Sequence, residues 1–341
     1  ALGRSYKEVA HITSRICGIC AVTHTTTSIK AIEAALGFEP TAQTIKLRKL
    51  LPNAEFIQSH ILHVYFLTAP DFFRVGSVFG MVKDNKEIVL RGMRIKTLAN
   101  ELCALVGGRH IHPITLKVGC FSKNPESKDL AAFKKKIEDL WPDIEETVKF
   151  FKSLKTPEFE RETEYISLTC PEEYALYDGN IKSSDNGEVE PSDYLDKVKE
   201  FMVPHSTSKH AKSNRDSYMV GALARFNNNY DQLHSKAKEV AEELGLKQPC
   251  YNTYMNNVAQ VVETVHCFED SIRLIDDLIS DGMTDEKIEL PPKAGHGVGA
   301  TEAPRGTLYH EHKLDDNGKI TYANYIIPTG QNLANIQNDL R

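Results

Sequence analysis

Two cysteines three positions apart give the clearest chemical signal in the sequence. Cys17 and Cys20 precede a stretch with helical periodicity, and His24 follows one helical turn after Cys20. Thiolates at this spacing can ligate one soft metal ion or bridge two. Arg15 and the positive N-terminus of the helix are expected to favour the thiolate form. His24 is placed to donate a hydrogen bond to one sulfur.

The Cys17–Cys20 spacing alone leaves three interpretations open. Half of a zinc site needs two further ligands, and none follows at the expected spacing. A thioredoxin-like redox pair needs a preceding strand in a βαβ unit, which the sequence does not indicate. A chance spacing without a metal or redox role is the third. The other five cysteines are too scattered for an iron–sulfur site and are expected to pack as small hydrophobes: Cys103, Cys120, Cys170, Cys250 and Cys267.

Other polar residues have ordinary structural interpretations. His60 and His63 lie on a predicted helix and are expected to form interior hydrogen bonds. Arg225 also lies on a predicted helix, where a structural ion pair is expected. The glycine run Gly295–Gly299 lacks the lysine and hydroxyl residue of a phosphate-binding loop. We therefore expect it to form a tight turn leading to Arg305.

The elements that must position these residues are mostly helical. Apolar periodicity predicts a helix before Gly37 and four long helices, which suggest a central bundle: Thr26–Leu36, Thr41–Thr68, Glu87–Val106, Tyr218–Leu244 and Met255–Ile279. Shorter signals predict an amphipathic surface helix, short strands and a hairpin: Leu130–Leu154, Tyr165–Asp196 and Thr307–Ile327. The predicted fold class is α+β and mostly helical, with peripheral short strands. We expect a single domain over residues 1–341, with a peripheral insertion at about 121–212.

Composition excludes several classes of protein. The chain has 341 residues, 41% of them hydrophobic, and a formal net charge of −6. A sizeable core is therefore possible, and no basic excess indicates nucleic acid or an anionic membrane surface as a partner. No apolar run approaches the ~18 residues of a membrane span. Seven scattered cysteines are typical of a reducing compartment, so we expect a cytoplasmic protein.

Four ordered segments resemble the large subunit of nickel–iron hydrogenases. Arg15–His24 (RICGICAVTH) is similar to the first cysteine motif of that family, and His60–Asp71 (HILHVYFLTAPD) to the segment that ends in an active-site aspartate. Gly107–Pro113 (GGRHIHP) resembles a third family segment. Glu302–Gly306 (EAPRG), followed by Pro328-Thr329, resembles the two stretches around the iron ligands.

The resemblance implies a nickel–iron centre whose iron carries carbon monoxide and two cyanides. Cys17 would be a terminal nickel ligand, and Cys20 would bridge the two metals. Arg305 would lie over the metals beside one cyanide, held by an ion pair with Asp71. The other implied contacts to the centre come from His24, the backbone of Ala303 and Pro304, Pro328, and Thr329 as donor to the second cyanide.

The same resemblance implies reversible heterolytic cleavage of dihydrogen, with electrons passed to a small subunit that carries iron–sulfur clusters. The FLTAPDF and SYMVGALARFN segments look closest to the cytosolic, cofactor-coupled class. That class implies a further acceptor subunit that uses flavin with NAD(P), coenzyme F420 or a disulfide reductase. The alternatives are a cofactor-free large subunit and a non-catalytic relative of the complex I quinone-side type, although the latter lacks the metal cysteines that this sequence retains.

Two features of the family are not found in the sequence. An early glutamate–glycine–histidine segment is expected before Ala1, and a second cysteine pair with a final histidine is expected after Arg341. The family centre uses four cysteine thiolates, of which Cys17 and Cys20 supply two. We therefore expect both ends of the complete subunit to lie outside these 341 residues.

Overall fold

The structure is a computed structural model that describes residues 1–341. Its long helices pack together around the main hydrophobic core. Eleven α-helices and nine strands follow one another along the chain. The helices are α1 Tyr6–Thr13, α2 Ala21–Leu36, α3 Ala42–Ile61, α4 Ala69–Phe72, α5 Val78–Gly107, α6 Ser127–Asp139, α7 Trp141–Ser153, α8 Ala222–Asn229, α9 Ser235–Glu243, α10 Asn256–Asp281 and α11 Pro328–Asp339. A π-helical segment, Leu62–Thr68, joins α3 to α4. The predicted fold class, helix-rich α+β, is confirmed.

The strands form three small sheets. They are β1 Glu164–Thr169, β2 Asn180–Ser183, β3 Glu188–Val189, β4 Lys199–Phe201, β5 His210–Lys212, β6 Tyr218–Met219, β7 Gly295–Ala303, β8 Gly306–Leu314 and β9 Ile320–Ile326. One sheet has the order β3-β2-β1-β6, a second pairs β4 with β5, and a third has the order β7-β8-β9. The predicted hairpin is formed by β8 and β9, and its turn contains Gly318 at a φ of 70°.

Helices α3 and α10 pack side by side in opposite directions. Lys46 pairs with Asp277, Asn53 with Asp270, and His60 with Glu263. Each pair lies seven residues along both helices from the next, which keeps the polar side chains on the shared face. The last pair is buried, whereas Lys46 is at the exposed end. This register fixes His60 and the following π-helical segment against α10.

A core of 52 buried residues joins the bundle to α6 and α7. The sequence predicted one amphipathic surface helix over Leu130–Leu154, and its continuity was wrong. The helix divides at Leu140, where the next helix begins with Trp141 and Pro142. The amphipathic character is confirmed, because one face of each half is buried, including Phe133 and Phe151, and the other is exposed.

The predicted long helix Tyr218–Leu244 was also wrong. Its first two residues form β6, which pairs in parallel with β1. Gly221 then adopts a φ of 116°, a backbone conformation that favours glycine, and α8 begins after it. An extended break at Leu233 and His234 separates α8 from α9. Tertiary pairing therefore overrides the helical periodicity of this segment.

The glycine run forms a strand, not the predicted turn. Gly295, Gly297 and Gly299 lie on one face of β7, which packs directly against α2. A Cβ at Gly297 would overlap the Ala31 carbonyl oxygen, and one at Gly299 would overlap that of Thr27. The alternating glycines thus bring the β7 backbone onto the helix that follows the cysteine pair.

Candidate metal centre

The cysteine pair lies in the loop between α1 and α2. Cys17 and Cys20 are bonded as a disulfide, with Cα atoms 5.5 Å apart, and both residues are half-buried. The Cys17 Sγ accepts hydrogen bonds from the backbone N–H groups of Ile19, at 3.3 Å, and Cys20, at 3.0 Å. Two converging sulfurs in this position can ligate a soft metal only after reduction, because the thiolate is the ligand.

A buried carboxylate from α3 caps the N-terminus of α2. Glu55 accepts hydrogen bonds from the N–H groups of Val22, at 2.7 Å, and Thr23, at 3.1 Å, and from the Thr23 hydroxyl. Burial raises the pKa of Glu55 to about 7, although these hydrogen bonds favour its charged form. The sequence predicted that the positive N-terminus of α2 stabilises the cysteine thiolates. In the structure, the N–H groups of Val22 and Thr23 at this end donate to Glu55 instead. Arg15, expected to assist the sulfurs, instead donates to the His11 carbonyl and the Ser14 hydroxyl.

His24 is buried and faces β8. Its Nδ1 lies 3.0 Å from the Nε2 of His310, whose Nδ1 lies 2.7 Å from the Ser28 hydroxyl. The same hydroxyl lies 3.4 Å from the Nε2 of His312. Burial lowers the pKa of His24 and of His312 to about 4. Burial, together with the neighbouring histidines, also lowers the pKa of His310 well below its ordinary value. All three imidazoles are therefore neutral at physiological pH.

Arg305 lies in the tight turn between β7 and β8. Ala303 pairs with Gly306, which leaves Pro304 and Arg305 as the two turn residues. Gly306 has a φ of 135°, which favours glycine. The Arg305 guanidinium is half-buried and forms no ion pair in the structure. Burial, together with the charge of Arg225, lowers the pKa of Arg305.

Arg225 on α8 binds the backbone of this turn through hydrogen bonds. Its Nη atoms donate to the carbonyls of Ala303, at 3.0 Å, and Pro304, at 3.1 Å. It also forms buried ion pairs with Glu302, at 2.7 Å, and Glu263, at 2.6 Å. The predicted structural role of Arg225 is therefore confirmed. Its contacts with both carbonyls also position the turn that carries Arg305.

The carboxylate of Glu263 joins this network to α3. It accepts hydrogen bonds from His60 and from the Tyr174 hydroxyl, at 2.8 and 2.7 Å. Burial favours its protonated form, but Arg225 and His60 hold the pKa of Glu263 well below its usual range. Burial lowers the pKa of His60 to about 4, against the opposing effect of Glu263. His63 in the π-helical segment donates from Nδ1 to the Gln260 Oε1 at 2.7 Å, so both histidines form the predicted interior hydrogen bonds.

The N-terminus of α11 lies beside the same turn. Gln331 donates to the Thr307 carbonyl at 2.7 Å, and Asn332 donates to the Arg305 carbonyl at 3.4 Å. Pro328 is buried in the first turn of α11, and Thr329 next to it is exposed. The helix that begins with the Pro-Thr segment thus contacts the turn of the EAPRG segment through Asn332.

Asp71 does not occupy its expected position. It lies on α4, is exposed, and forms no ion pair with Arg305. The charge of Arg305 nevertheless lowers the pKa of both His60 and His63, after the larger effect of burial. The turn therefore lies close to the end of α3 and the π-helical segment. The pairing predicted for Asp71 is absent, and its catalytic role stays a prediction.

The residues present fit part of a nickel–iron centre. Two sulfurs supply soft ligands, and Arg305 supplies a half-buried cation without an acidic partner, which suits an anionic ligand such as cyanide. No group of three or more histidine, cysteine or acidic residues in the described chain could hold a metal ion. Residues 1–341 therefore include two sulfurs that could serve as ligands of such a centre, and no larger group of metal-ligating side chains.

Several residues of this region were not identified from the sequence. Ser28 lies four positions after His24, so both face β8 from one side of the helix. His310 and His312 are separated by one residue, so both face α2 from one side of the strand. These two spacings could have indicated a polar contact between the elements. Glu55 gave no such signal, because only the fold brings it to α2.

Comparison with known proteins agrees with this architecture. The family model described as nickel-dependent hydrogenase matches residues 1–91 and 167–339. The chain is 34% identical to sulfhydrogenase 1 subunit alpha of Pyrococcus furiosus, over 100% of this chain and 80% of that protein. It is 32% identical to sulfhydrogenase 2 subunit alpha of the same organism, over 97% of this chain and 78% of that protein.

Solved structures show the same fold. An NAD+-reducing NiFe-hydrogenase in the H2-reduced state matches with a TM-score of 0.89 and 26% identity, over 99% of this chain and 81% of that one. The NiFeSe hydrogenase of Desulfovibrio vulgaris Hildenborough matches with a TM-score of 0.78 and 22% identity, over 97% and 81%. The second likeness concerns the fold alone. No helix in the present chain is both long and apolar enough to cross a membrane.

Proposed function

This chain belongs to the nickel-dependent hydrogenase family as a large subunit and is an oxidoreductase that acts on hydrogen, and from this premise we propose that it cleaves dihydrogen reversibly at a nickel–iron centre. The observation that carries the proposal is the convergence of two family segments. The cysteine pair precedes α2, and β7 and β8, which carry Arg305 in the turn between them, pack against that helix. Cys17 and Cys20 would hold the metals after reduction.

Dihydrogen has no dipole, so its cleavage needs a Lewis acid and a base placed together. A nickel–iron centre, with carbon monoxide and two cyanides on its iron, would supply the Lewis acid when bound. Arg305 would hold a fixed positive charge beside one cyanide, because a guanidinium does not titrate at physiological pH. The backbone of Ala303 and Pro304 would line the pocket, since Arg225 fixes both carbonyls.

The remaining proposed roles belong to residues at the rim. Thr329 would donate a hydrogen bond to the second cyanide, and the buried Pro328 would fix its position. His24 would donate to a sulfur from the first turn of α2. Asp71, which is exposed in the structure, would need to turn towards Arg305 to pair with it.

Electrons and protons must leave such a site through other groups. We propose a small subunit with iron–sulfur clusters as the electron acceptor, and the naming of the P. furiosus relative as a subunit alpha supports a multisubunit assembly. A further subunit that uses flavin with NAD(P), coenzyme F420 or a disulfide reductase would receive the electrons. The similarity to an NAD+-reducing enzyme supports the first of these. The proposed location is the cytoplasm.

Infrared spectroscopy of the purified assembly tests the centre directly. Bands in the region of metal-bound carbon monoxide and cyanide, together with nickel and iron in metal analysis, are expected. The matched variant Cys20→Ser should lose both metals, whereas Cys267→Ser, which changes a buried free cysteine, should retain them. Absence of the bands from a metal-loaded assembly would contradict the proposal. Absence of both metals under hydrogenase-assembling conditions would favour the cofactor-free or non-catalytic alternative.

A further inference from the structure

A continuous row of neutral polar groups connects α2 to β8 behind the cysteine pair. It runs from His24 to His310, then to Ser28 and His312, through contacts of 3.0, 2.7 and 3.4 Å. The three histidines and the serine are all buried. The row ends at the Nδ1 of His312, which is buried without a hydrogen-bond partner. The buried hydroxyl of Tyr325, whose ring centroid lies 5.5 Å from that of His312, also has none.

Such a row has only two possible hydrogen-bond directions. A neutral imidazole has one N–H donor and one bare nitrogen acceptor, and a hydroxyl donates once. If Ser28 donates to His310, then His310 must carry its proton on Nε2 and donate to His24. In the opposite direction, His24 donates from Nδ1 and its Nε2 is bare. The direction of the row therefore decides which nitrogen of His24 carries the proton.

The ends of the row favour the first direction. The 2.7 Å contact between Ser28 and His310 has the usual length for a hydroxyl donor, about 2.7–2.8 Å, whereas an N–H donor usually lies about 2.9–3.0 Å from its acceptor. The Ser28 hydroxyl is therefore assigned as the donor to His310, and the longer 3.4 Å contact as the N–H of His312 donating to Ser28. The opposite direction would leave a buried N–H of His312 without an acceptor, which is the rarer kind of unpaired group. In the favoured direction that nitrogen is an acceptor, and the unpaired Tyr325 hydroxyl is a donor in its vicinity.

We propose that Ser28, His310 and His312 are positioning residues that hold His24 in the Nε2–H tautomer, so that its ring always presents a donor on the side away from β8. The inference deepens the proposed function, since that donor is the one assigned to a cysteine sulfur. No member of the row gains a charge. A ring free to exchange tautomers would present a donor only part of the time.

The test uses the native assembly with this chain labelled with 15N-histidine. Two-bond 1H–15N correlation spectra distinguish the two neutral tautomers and the imidazolium of each ring. We expect His24 and His310 to be Nε2–H tautomers in the wild type. In Ser28→Ala, His310 loses its donor, so both rings should become mixtures of tautomers. Ser28→Thr, which restores the hydroxyl, should restore the single tautomer.

A matched control lies on the same helix. The buried hydroxyl of Thr26 has no hydrogen-bond partner, so Thr26→Val removes a buried hydroxyl without breaking the row. The control should leave both tautomers unchanged. Unchanged tautomers in Ser28→Ala, an Nδ1–H tautomer of His24 in the wild type, or equal changes in Thr26→Val would overturn the proposal.

Turnover provides a second, separate measurement. Ser28→Ala should lower hydrogen turnover by about tenfold, because loss of a residue that orients groups next to a metal ligand often has an effect of this size. Thr26→Val should have the turnover of the wild type. A changed tautomer with unchanged turnover would overturn the positioning role. If the wild type had no hydrogenase activity, the proposed function would fail, but the spectra would still decide the tautomer of His24.

Discussion

Arg305 is a cation whose neighbours do not neutralise it. Its guanidinium is half-buried without an ion pair, and the two buried carboxylates nearby, Glu263 and Glu302, are already paired with Arg225. Keeping a positive charge in this position is costly unless an anion shares the pocket. The two carbonyls bound by Arg225 hold the backbone of the turn from which this side chain extends.

Replacement of Arg305 by lysine should lower hydrogen turnover by about 100-fold or more, the usual loss when one fixed donor is removed from a reacting site. A flexible ammonium cannot reproduce a planar guanidinium held by its turn. Nickel and iron contents should stay as in the wild type, which separates a catalytic effect from failed assembly. Turnover equal to that of the wild type would show that the guanidinium has no such role.

Glu55 makes the stability of the protein depend on pH in a defined direction. Its pKa is about 7 in the folded chain against an ordinary value of 4.5, mainly because it is buried. The folded state therefore keeps a proton that the unfolded chain loses between these two values. The resulting contribution to stability is complete below about pH 4.5 and disappears as the pH rises to about 7. At about 1.4 kcal/mol for each tenfold change, it amounts to roughly 3 kcal/mol.

The variant Glu55→Gln should lack this dependence. The difference between the thermal midpoints of the wild type and the variant should shift in favour of the variant as the pH rises from 5 to 7.5. Glu145→Gln, at an exposed residue without an ion pair, is the control for the change in net charge. A pH-independent difference for Glu55→Gln would mean that Glu55 is already ionised throughout this range.

At the scale of elements, the contact between α2 and β7 determines how the two family segments meet. The three glycines of β7 allow the strand to lie directly on the helix backbone. Because α2 begins at the cysteine pair and β7 leads into the Arg305 turn, any separation of the two elements changes the geometry of the site. The close approach of α2 and β7 therefore also sets the geometry of the candidate site.

Gly297→Ala should lower stability by about 1–3 kcal/mol, the usual effect of an additional buried methyl group without space. The added Cβ would overlap backbone atoms of α2, which cannot move like the end of a side chain. Gly76→Ala is the matched control, because no atom lies within 4 Å of its added Cβ. Chemical denaturation measures the stability of both variants against that of the wild type. Equal midpoints for the two variants would show that α2 and β7 are not so closely packed in solution.

The sequence predicted those elements whose pattern is local. The helix ending at Gly37 and the helix ending before Gly108 have apolar periodicity and left-handed capping glycines, and both were confirmed. The segment from Tyr218 to Leu244 has the same periodicity but forms β6 and two shorter helices. Its strand forms only because β1 lies beside it, and the sequence of the segment carries no information about that partner.

In the candidate site, too, the sequence predicted only features with a local pattern. Residue types and spacing identified Cys17, Cys20 and the Arg305 segment, because their chemistry follows from the side chains themselves. Glu55 caps a helix 33 positions away in sequence, and His310 contacts a residue 286 positions away. Such contacts depend on the packing of complete elements, which no local pattern specifies.

At the scale of the whole molecule, four exposed isoleucines lie on or near the loop that carries the cysteine pair. Ile12, Ile16, Ile19 and Ile114 are between 39% and 46% exposed. The loop that carries Ile114 is fixed to the motif, because the His112 ring bonds the Ser14 carbonyl at 2.9 Å. An apolar surface beside a redox centre suits the proposed small subunit, since electrons must cross a short distance from the metals to its clusters.

Ile16→Glu should therefore weaken the complex with the small subunit by more than tenfold, because the new carboxylate would lose its water on binding without gaining a partner. The thermal midpoint of the isolated chain should change little, since Ile16 is already 46% exposed. Met202→Glu is the control, because Met202 is 69% exposed and lies outside the four-isoleucine surface. Dissociation constants from titration of the two subunits measure the effect. If Ile16→Glu and Met202→Glu bound the small subunit equally well, the surface around the cysteine pair would not be the interface, and electrons would have to leave the molecule through a different face.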